Sequence, residues 1–579
     1  MTRFKRRRGK PLRFVRVPLR DDHPDWLDLD RRLPPDHLAR RLRALVDSLD
    51  LEPLLETYTG VGGPIIPPEL MLAFVLFENQ RKRLSPAEWF LDSQESEPAR
   101  WLLRGLRPCR ASCYRFAVHL AAADLVDDVN RQVLLLAVGE GHTTAEHGAL
   151  DGAFTAAYGS RHRLGNDETL TARLQLLDQV IAQETPAEPT SPADDSAASQ
   201  GGSANTAKQA LAQPAPAPAA PPPPAEPLAT EDWPYGMAQT AAGRLRQQAR
   251  YQAAQKTLRR RMAEHERKQK GKASNRRTSA AKLVICPTEP EAVPGKDKLK
   301  VFRPLYNVQI MQDPDSRFIL GYAVSSQASD SGLLRPMLLR TEERTGRKVK
   351  QVLSDGIDAT LADVRYCQED GVVLYAPVQP GGSATSGSGR LEKKQGSKGQ
   401  LEEKQIGREA FAWEEKLQTY RCPEGHLLQQ LGLKQRERAN GEQVQMREYR
   451  CVSEHCRKCP RAARCTSNPQ RGRTVTRMVG QELLDAVAAR MQTKEGKEEY
   501  KKRGQTVEPR HGDLRTHRGL QRFHGYGTDR AHSQIGLLTL VHNGLSLLAA
   551  RQRSKASRQA ASRPPPSLSL PRPPLHLKR

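Results

Sequence analysis

Apolar residues recur at helical spacing in the early part of the chain. One such series consists of Leu38, Leu42, Leu45, Val46 and Leu49. Because residues three and four positions apart share one face of an α-helix, this series predicts an amphipathic helix. Further along, the segment 85–88 offers a serine N-cap, a proline at the first helical position and a capping glutamate, which predicts another helix start. Residues 30–140 are therefore expected to form an all-helical domain.

Short runs rich in β-branched and aromatic residues replace this pattern in the middle of the chain. The runs are His147–Phe154, Val301–Met311, Phe318–Ser325, Val349–Ser354 and Val372–Pro377. Helical patterns fit at about 331–344 and 358–369. The predicted order is β, β, β, α, β, α, β, followed by further helix after an insertion. This is the element order of a ribonuclease-H-like α/β core.

Three low-complexity stretches divide the chain. Residues 186–227 are rich in proline and alanine and have almost no apolar bulk, which is typical of a disordered linker. A glycine- and serine-rich join follows Gly381, and a proline-rich tail follows Ser554. The predicted domains begin with a basic arm (1–29), a helical DNA-binding domain (30–140) and the first part of the core (141–185). A linker (186–232) and a basic helical insertion (233–300) separate this part from the rest of the core (301–380). A flexible linker (381–404), a cysteine-rich insertion (405–480), a segment with Glu508 and a closing helix (481–552), and a disordered basic tail (553–579) complete the chain.

Composition points to a polyanionic partner. Lys and Arg number 92 against 66 Asp and Glu, which gives a formal net charge of +26. Nucleic acid is the partner that this charge favours. No segment offers about 18 uninterrupted apolar residues, and the best candidate, Ile535–Ala550, contains His542 and Asn543. We therefore expect a buried core helix there, no membrane partner and a cytoplasmic location.

Three acidic residues stand at widely separated points of the chain. Asp151 and Asp355 each end a short apolar run, and Glu508 opens a strongly basic stretch. In the predicted element order they would meet at one edge of the sheet. Carboxylate oxygens are the ligands that Mg²⁺ prefers, so the three could form a metal cage beside a phosphodiester. Taken singly, an aspartate at a strand end is more often a turn or helix cap.

Several segments around these acids resemble the DDE transposases of bacterial insertion sequences. The similarity extends from about Leu38 to Leu547. It rests on Asp151-Gly-Ala-Phe154, Ser160-Arg161, Tyr306-Asn-Val-Gln309, Ser329-Asp330 with Leu333 and Pro336, Asp355-Gly356, and Tyr500-x₂-Arg503-x₄-Glu508-x₆-Arg515. The family signature in the last segment is Tyr, Arg, Glu, Lys. This chain has one extra residue before Glu508, an arginine in place of the lysine, and Pro509 directly after the glutamate.

The resemblance implies a function and a set of site residues. Asp151 would bridge two Mg²⁺ or Mn²⁺ ions, and Asp355 and Glu508 would each complete one ion site. The residues implied to hold double-stranded DNA, at transposon ends and target, are Tyr500, Arg503, Arg515 and Arg161. The active complex is expected to contain a homodimer. The alternatives are a non-catalytic DNA-binding remnant of such an element and, less favoured, a related nuclease without strand transfer.

Cysteine spacing suggests a second site in the 405–480 insertion. Five cysteines lie there, and Cys456-x₂-Cys459 has the spacing of one half of a structural zinc site. The expected ligand set is Cys422, Cys456, Cys459 and Cys465, with Cys451 or a histidine as substitute. The alternative is that these are reduced thiols that pack a small β insertion.

Overall fold

The computed structural model describes residues 11–122, 125–184, 236–270, 274–356, 360–378, 406–437 and 443–561. The predicted linkers at 186–232 and 381–404 lie outside these residues, as do positions 562–579 of the predicted tail.

Helices fill the chain before the first strand. They are α1 (Pro24–Arg32), α2 (Leu38–Asp47), α3 (Glu52–Glu56), α4 (Pro68–Gln80), α5 (Pro86–Glu95), α6 (Glu97–Leu102), α7 (Arg110–Ala121) and α8 (Leu125–Gly139). The predicted cap of α5 is confirmed, because the Ser85 hydroxyl accepts from the Glu88 amide and the Glu88 carboxylate accepts from the Ser85 amide at 2.9 Å. The apolar face predicted for α2 is also confirmed, since Leu42, Leu45 and Val46 are buried.

The middle of the chain forms a six-stranded sheet with helices between its strands. In chain order the elements are β1 (His147–Ala156), α9 (Asp167–Glu184), α10 (Ala241–Gln269), β2 (Val293–Lys296), β3 (Phe302–Gln312), β4 (Ile319–Ser325), α11 (Leu334–Thr345), β5 (Gln351–Leu353), α12 (Leu361–Glu369) and β6 (Val373–Tyr375). The predicted β, β, β, α, β, α, β order is confirmed, with α9 and β2 as unpredicted additions.

Strand pairing places β1 at the centre of this sheet. It pairs with β3 antiparallel on one side and with β5 parallel on the other, and β6 continues beyond β5 in parallel. On its far edge β3 pairs with β2 near its start and with β4 over the rest of its length. The sheet order is therefore β4-β3-β1-β5-β6.

A separate compact unit is formed by the described residues within 163–269 and 273–290. Here α9 and α10 pack through a small core formed by Leu170, Leu174, Leu177, Tyr251, Ala254, Leu258 and Ile285. An ion pair between Arg259 and Asp167 at 2.9 Å joins the same two helices. The leucines of α9, which lie before the domain boundary expected at residue 185, thus pack on α10.

The rest of the chain forms a β-rich insertion and three long helices. The elements are β7 (Ala412–Glu414), β8 (Thr419–Arg421), β9 (Gln429–Glu437), β10 (Gln443–Arg450), α13 (Ser453–Lys458), α14 (Ala462–Cys465), β11 (Thr474–Met478), α15 (Gln481–Gln492), α16 (Lys494–Thr516) and α17 (Thr528–Ala561). Strands β9, β10 and β11 form an antiparallel sheet with β10 in the middle. The tail boundary expected at residue 553 falls inside α17.

Helix α17 is the one described helix long and apolar enough, by length and composition alone, to cross a membrane. Its apolar window is 72% buried within the protein. The Asn543 side chain exchanges two hydrogen bonds with the backbone of Ile319, at 2.8 and 2.9 Å, and His542 bonds to the Arg317 carbonyl. These contacts confirm the core helix that His542 and Asn543 led us to expect.

A buried polar network joins α8, β4, α11 and α17. The Asp127 carboxylate accepts from Arg344 at 2.6 Å, from the Tyr322 hydroxyl, and from His532 at 3.0 Å. The side chain of Arg344 is only 4% exposed and its guanidinium lies over the Tyr322 ring. Burial alone would raise the pKa of Asp127, but the bond from His532 and the charge of Arg344 outweigh it and hold that pKa well below its ordinary value.

Substitution of Asp127 by Ala is expected to lower the free energy of unfolding by about 3–5 kcal/mol, because Arg344 would be left buried and unpaired. A depressed carboxylate pKa stabilises the fold above the ordinary aspartate pKa and loses that effect on acidification. The difference from wild type in urea unfolding should therefore shrink below about pH 4. The neighbouring Asp128→Asn on the same helix is the control, with an expected change within about 0.5 kcal/mol. Equal effects of the two variants would contradict the role of the network.

Candidate active site

Asp151 lies in the middle of the central strand. Its neighbours across the antiparallel pair are residues of β3, with Asp151 opposite Ile310. On the other side, β1 and β5 are parallel with Ala149 opposite Leu353. Asp355 follows two residues after Leu353, just past the end of β5, and its charge acts on the Tyr500 hydroxyl together with that of Asp151. The sheet thus brings together two acids that are far apart in the sequence.

Helix α16 carries the third acid to the same place. Val507 of α16 packs against Ala149 of β1 and Leu353 of β5. This contact lays the helix across the two strands. Glu508 follows directly, with a side chain that is 64% exposed. The predicted meeting of the three acid-bearing segments at one part of the sheet is therefore observed.

Arg503 connects the acids. Its guanidinium donates to Asp151 Oδ1 at 2.7 Å and to the Leu150 carbonyl at 3.3 Å through two different nitrogens, and the third nitrogen lies 3.7 Å from Glu508 Oε1. Its side chain is only 9% exposed. The sequence led us to expect Arg503 on a DNA phosphate, whereas its contacts here are with the carboxylates and the strand backbone.

The electrostatics of the site are those of crowded carboxylates. Burial raises the pKa of Asp151, the charge of Arg503 opposes that rise, and Asp330 and Glu508 add to it. Burial also raises the pKa of Tyr500, and the charges of Asp355, Glu508 and Asp151 all act on its hydroxyl in the same direction. Tyr500 therefore lies within electrostatic range of all three acids.

Both aspartates are followed by a glycine that has no room for a side chain. A Cβ on Gly152 would lie 2.4 Å from Asp330 Oδ1 and 2.2 Å from Gln309 Nε2. A Cβ on Gly356 would lie 2.6 Å from the Pro377 carbonyl oxygen. Since real Cβ contacts are not this short, the close approach of neighbouring segments requires glycine after each aspartate.

The remaining predicted DNA contacts differ in position. Arg515, on the same helix, donates to the Phe154 carbonyl at 2.8 Å, so it lies over β1 near Asp151. Arg161 is exposed in the short turn after β1, and its guanidinium donates to the His162 ring at 3.1 Å. The structure thus brings Tyr500, Arg503 and Arg515 to the acids and places Arg161 on the surface beyond the strand.

Comparison with known proteins bears on the C-terminal part of the chain. Residues 421–548 match the family model of a transposase DDE domain. This match supports a DDE transposase. The matched segment includes Glu508, Arg503 and Tyr500, while Asp151 and Asp355 lie before it. No curated protein matches the chain.

Two further groups belong to this site although no role was assigned to them from the sequence. Asp330 Oδ1 accepts from the amides of Asn307 and Gln309, each at 2.6 Å, and so forms a second layer behind Gly152. His511 lies 3.3 Å from the Asp151 carbonyl oxygen, and burial lowers its pKa to about 4, which keeps the ring neutral at physiological pH. The sequence signal that could have identified His511 is its spacing on α16. It lies four residues after Val507 and four before Arg515, in a series that begins at Arg503.

No group of three His, Cys, Asp or Glu side chains within the described residues already forms a coordinating arrangement. The donor chemistry is nevertheless that of a hard-cation site, since Asp151, Asp355 and Glu508 offer only carboxylate oxygens. The Arg503 guanidinium now supplies the positive charge beside Asp151.

Arg503→Gln tests whether this arginine is part of the folded site. It removes charged donors from Asp151 and Leu150, and we expect the free energy of unfolding to fall by about 1.5–3 kcal/mol. Arg515→Gln, which removes one bond to a backbone carbonyl, should cost about 0.5–1.5 kcal/mol. Thermal or urea unfolding measures both. An Arg503 variant as stable as wild type would instead favour a role on bound DNA alone.

Proposed function

We propose that this chain is the transposase of an insertion sequence, which binds terminal inverted repeats and catalyses phosphodiester hydrolysis and strand transfer. The observation that carries the proposal is the convergence of Asp151, Asp355 and Glu508 around Tyr500 from β1, the end of β5 and α16. The transposase-domain match over residues 421–548 supports it from a separate direction.

The sheet topology also supports this proposal. The order β4-β3-β1-β5-β6, with β3 antiparallel to its neighbours β1 and β4 and with β1, β5 and β6 parallel, is that of a ribonuclease-H-like core. In this arrangement the carboxylates occupy the central strand, its parallel neighbour and a helix across them. We propose that the helices of residues 30–140 contribute DNA contacts.

Asp151, Asp355 and Glu508 would hold Mg²⁺ or Mn²⁺ through their carboxylate oxygens. When bound, the ions activate the attacking water or 3′-hydroxyl and stabilise the leaving oxygen. The other roles belong to side chains of the protein. The neutral His511 ring and the Arg515 guanidinium bond to the β1 backbone and hold the Asp151 strand in place. The charge of Arg503 opposes the rise in the Asp151 pKa that burial causes.

DNA phosphates are the groups that the positive side chains around the acids would contact. Tyr500, Arg503 and Arg515 stand beside the carboxylates, and Arg161 extends the positive surface past β1. Contact between Arg503 and a phosphate requires its ion pair with Asp151 to loosen. We further propose a homodimer on paired ends and a cytoplasmic location.

A donor-plasmid assay tests the proposal. Supercoiled DNA that carries a marker between the sequences flanking this gene would be incubated with full-length protein and Mg²⁺. Excision and joining of the marker to a target plasmid is the expected result. Cutting without joining would favour a nuclease, and retained binding of the ends without any cutting would favour the non-catalytic remnant.

A further inference from the structure

The insertion contains a cavity whose lining is dominated by sulfur and imidazole. Its walls include five thiols and two imidazoles: Cys422, Cys451, Cys456, Cys459, Cys465, His426 and His455. These cysteines come from three places, namely the turn after β8, the end of β10, and the α13–α14 segment. A set of thiols from separate segments around one space is what a structural metal site requires.

Two of the segments approach the cavity through tight turns. The Cys422 amide donates to the His426 carbonyl at 2.8 Å and the Gly425 amide donates back to the Cys422 carbonyl at 2.9 Å. Gly425 has a φ of +88°, a conformation that glycine adopts without strain. At the second turn, the Cys459 amide donates to the Cys456 carbonyl at 3.4 Å. Both turns thus fix the backbone of cysteines that face the cavity.

Cys456 has the surroundings of a thiolate ligand. Its sulfur accepts from the Arg473 amide at 3.4 Å, an interaction that favours negative charge on sulfur. Arg473 also lines the cavity, and its buried Nε has no hydrogen-bond partner among the described residues. Four thiolates on a divalent ion would carry two net negative charges, which would give this guanidinium a counter-charge. Arg461, which also lines the cavity, already pairs with Glu424 at 2.7 Å.

Cys451 differs from the other four cysteines. It is 3% exposed at the end of β10, its amide donates to the Arg473 carbonyl at 2.9 Å, and its thiol lies within electrostatic range of the thiols of Cys456 and Cys422. Cys422, Cys459 and Cys465 are each more exposed. Its position is therefore behind the other thiols.

We propose that this cavity is a structural zinc site in which Cys422, Cys456, Cys459 and Cys465 bind one Zn²⁺, while Cys451 supports the sulfurs of Cys422 and Cys456 from behind. The thiols surround the cavity without standing in a coordinating group of three, so binding draws them together. Thiolate sulfur suits Zn²⁺, whereas the carboxylates of the active site suit Mg²⁺. The zinc site is thus independent of the transposase chemistry.

Metal analysis of the full-length protein tests this inference. We expect about one zinc per chain in wild type, none in Cys456→Ser/Cys459→Ser, and an unchanged amount in Cys109→Ser, which alters an exposed cysteine outside the cavity. Cys451→Ser should keep the zinc but release it to a chelator roughly 10–100-fold more readily, as expected when a group behind a ligand is lost.

A second measurement covers the case in which the double variant does not fold. Wild-type protein stripped with a chelator should become sensitive to proteolysis within 405–480 and regain protection when Zn²⁺ alone is added back, since metal binding stabilises such small modules. Wild-type protein that binds no zinc under these conditions would overturn the site. Loss of zinc from Cys451→Ser with retention in Cys422→Ser would overturn the ligand assignment.

Discussion

Asp151→Asn, Asp355→Asn and Glu508→Gln are each expected to reduce DNA cleavage by roughly 10³-fold or more, the scale seen when one essential active-site group is removed. Each substitution preserves shape but removes a negative charge that would hold a divalent ion. Binding to end DNA should stay close to wild type, because affinity comes mainly from phosphate contacts. Gel-shift and cleavage assays on the same preparations separate the two properties.

Glu498→Gln is the matched control for this series. Glu498 is an exposed residue of the same helix, and its neighbour Glu499 is engaged by Lys502 and Gln351 at 2.8 and 2.9 Å. Cleavage by Glu498→Gln should therefore equal that of wild type. A Glu508→Gln protein that cuts at a normal rate would remove Glu508 from the site, and the same holds for either aspartate.

Affinity for end DNA should fall steeply with salt, by roughly 10³-fold or more between about 50 and 200 mM if six or more phosphates are neutralised. The physical reason is counterion release by a chain of net charge +26. Fluorescence anisotropy across a salt series gives the slope of log affinity against log salt. A flat response would contradict binding through phosphates.

Individual contacts can be read from the same slope. Arg161→Gln removes one exposed charge beyond β1 and should reduce the slope by about 1. His162→Gln, in the same turn, alters a side chain without removing a permanent charge and should leave the slope unchanged. Equal slopes for wild type and Arg161→Gln would place Arg161 outside the DNA interface.

Local patterns sufficed for much of the fold. The strands β1, β3 and β4 nearly coincide with the short runs that predicted them, and the start of α5 was given by its capping residues. β2 was missed because its sequence, Val293-Pro-Gly-Lys296, contains the two residues least typical of strands. Helix α9 was missed because its partner α10 follows only after a long proline-rich stretch, and single-sequence periodicity does not identify distant partners.

The candidate site was less accessible to sequence reasoning than the fold. The acids and their proximity were expected from the resemblance and the element order. The ion pair between Arg503 and Asp151 was not expected, because a basic residue near a nucleic-acid site is ordinarily assigned to a phosphate contact. Asp330 acts on Asp151 through a tertiary contact that its place in the sequence does not reveal, whereas His511 could have been found from its four-residue spacing with Val507 and Arg515. Cys451 was expected only as a substitute ligand, since its position behind the other thiols depends on the end of β10.

The central position of β1 has a consequence for synthesis of the chain. β3 begins at Phe302, 146 residues after β1 ends at Ala156. At about 5–20 residues per second, a ribosome needs roughly 7–30 s to produce that partner strand. Until then both edges of β1 can pair with other nascent chains, although α9 and α10 can already fold on each other. A charge within a strand opposes such pairing. We therefore expect Asp151 to protect the newborn strand from aggregation before it has any partner in its own chain.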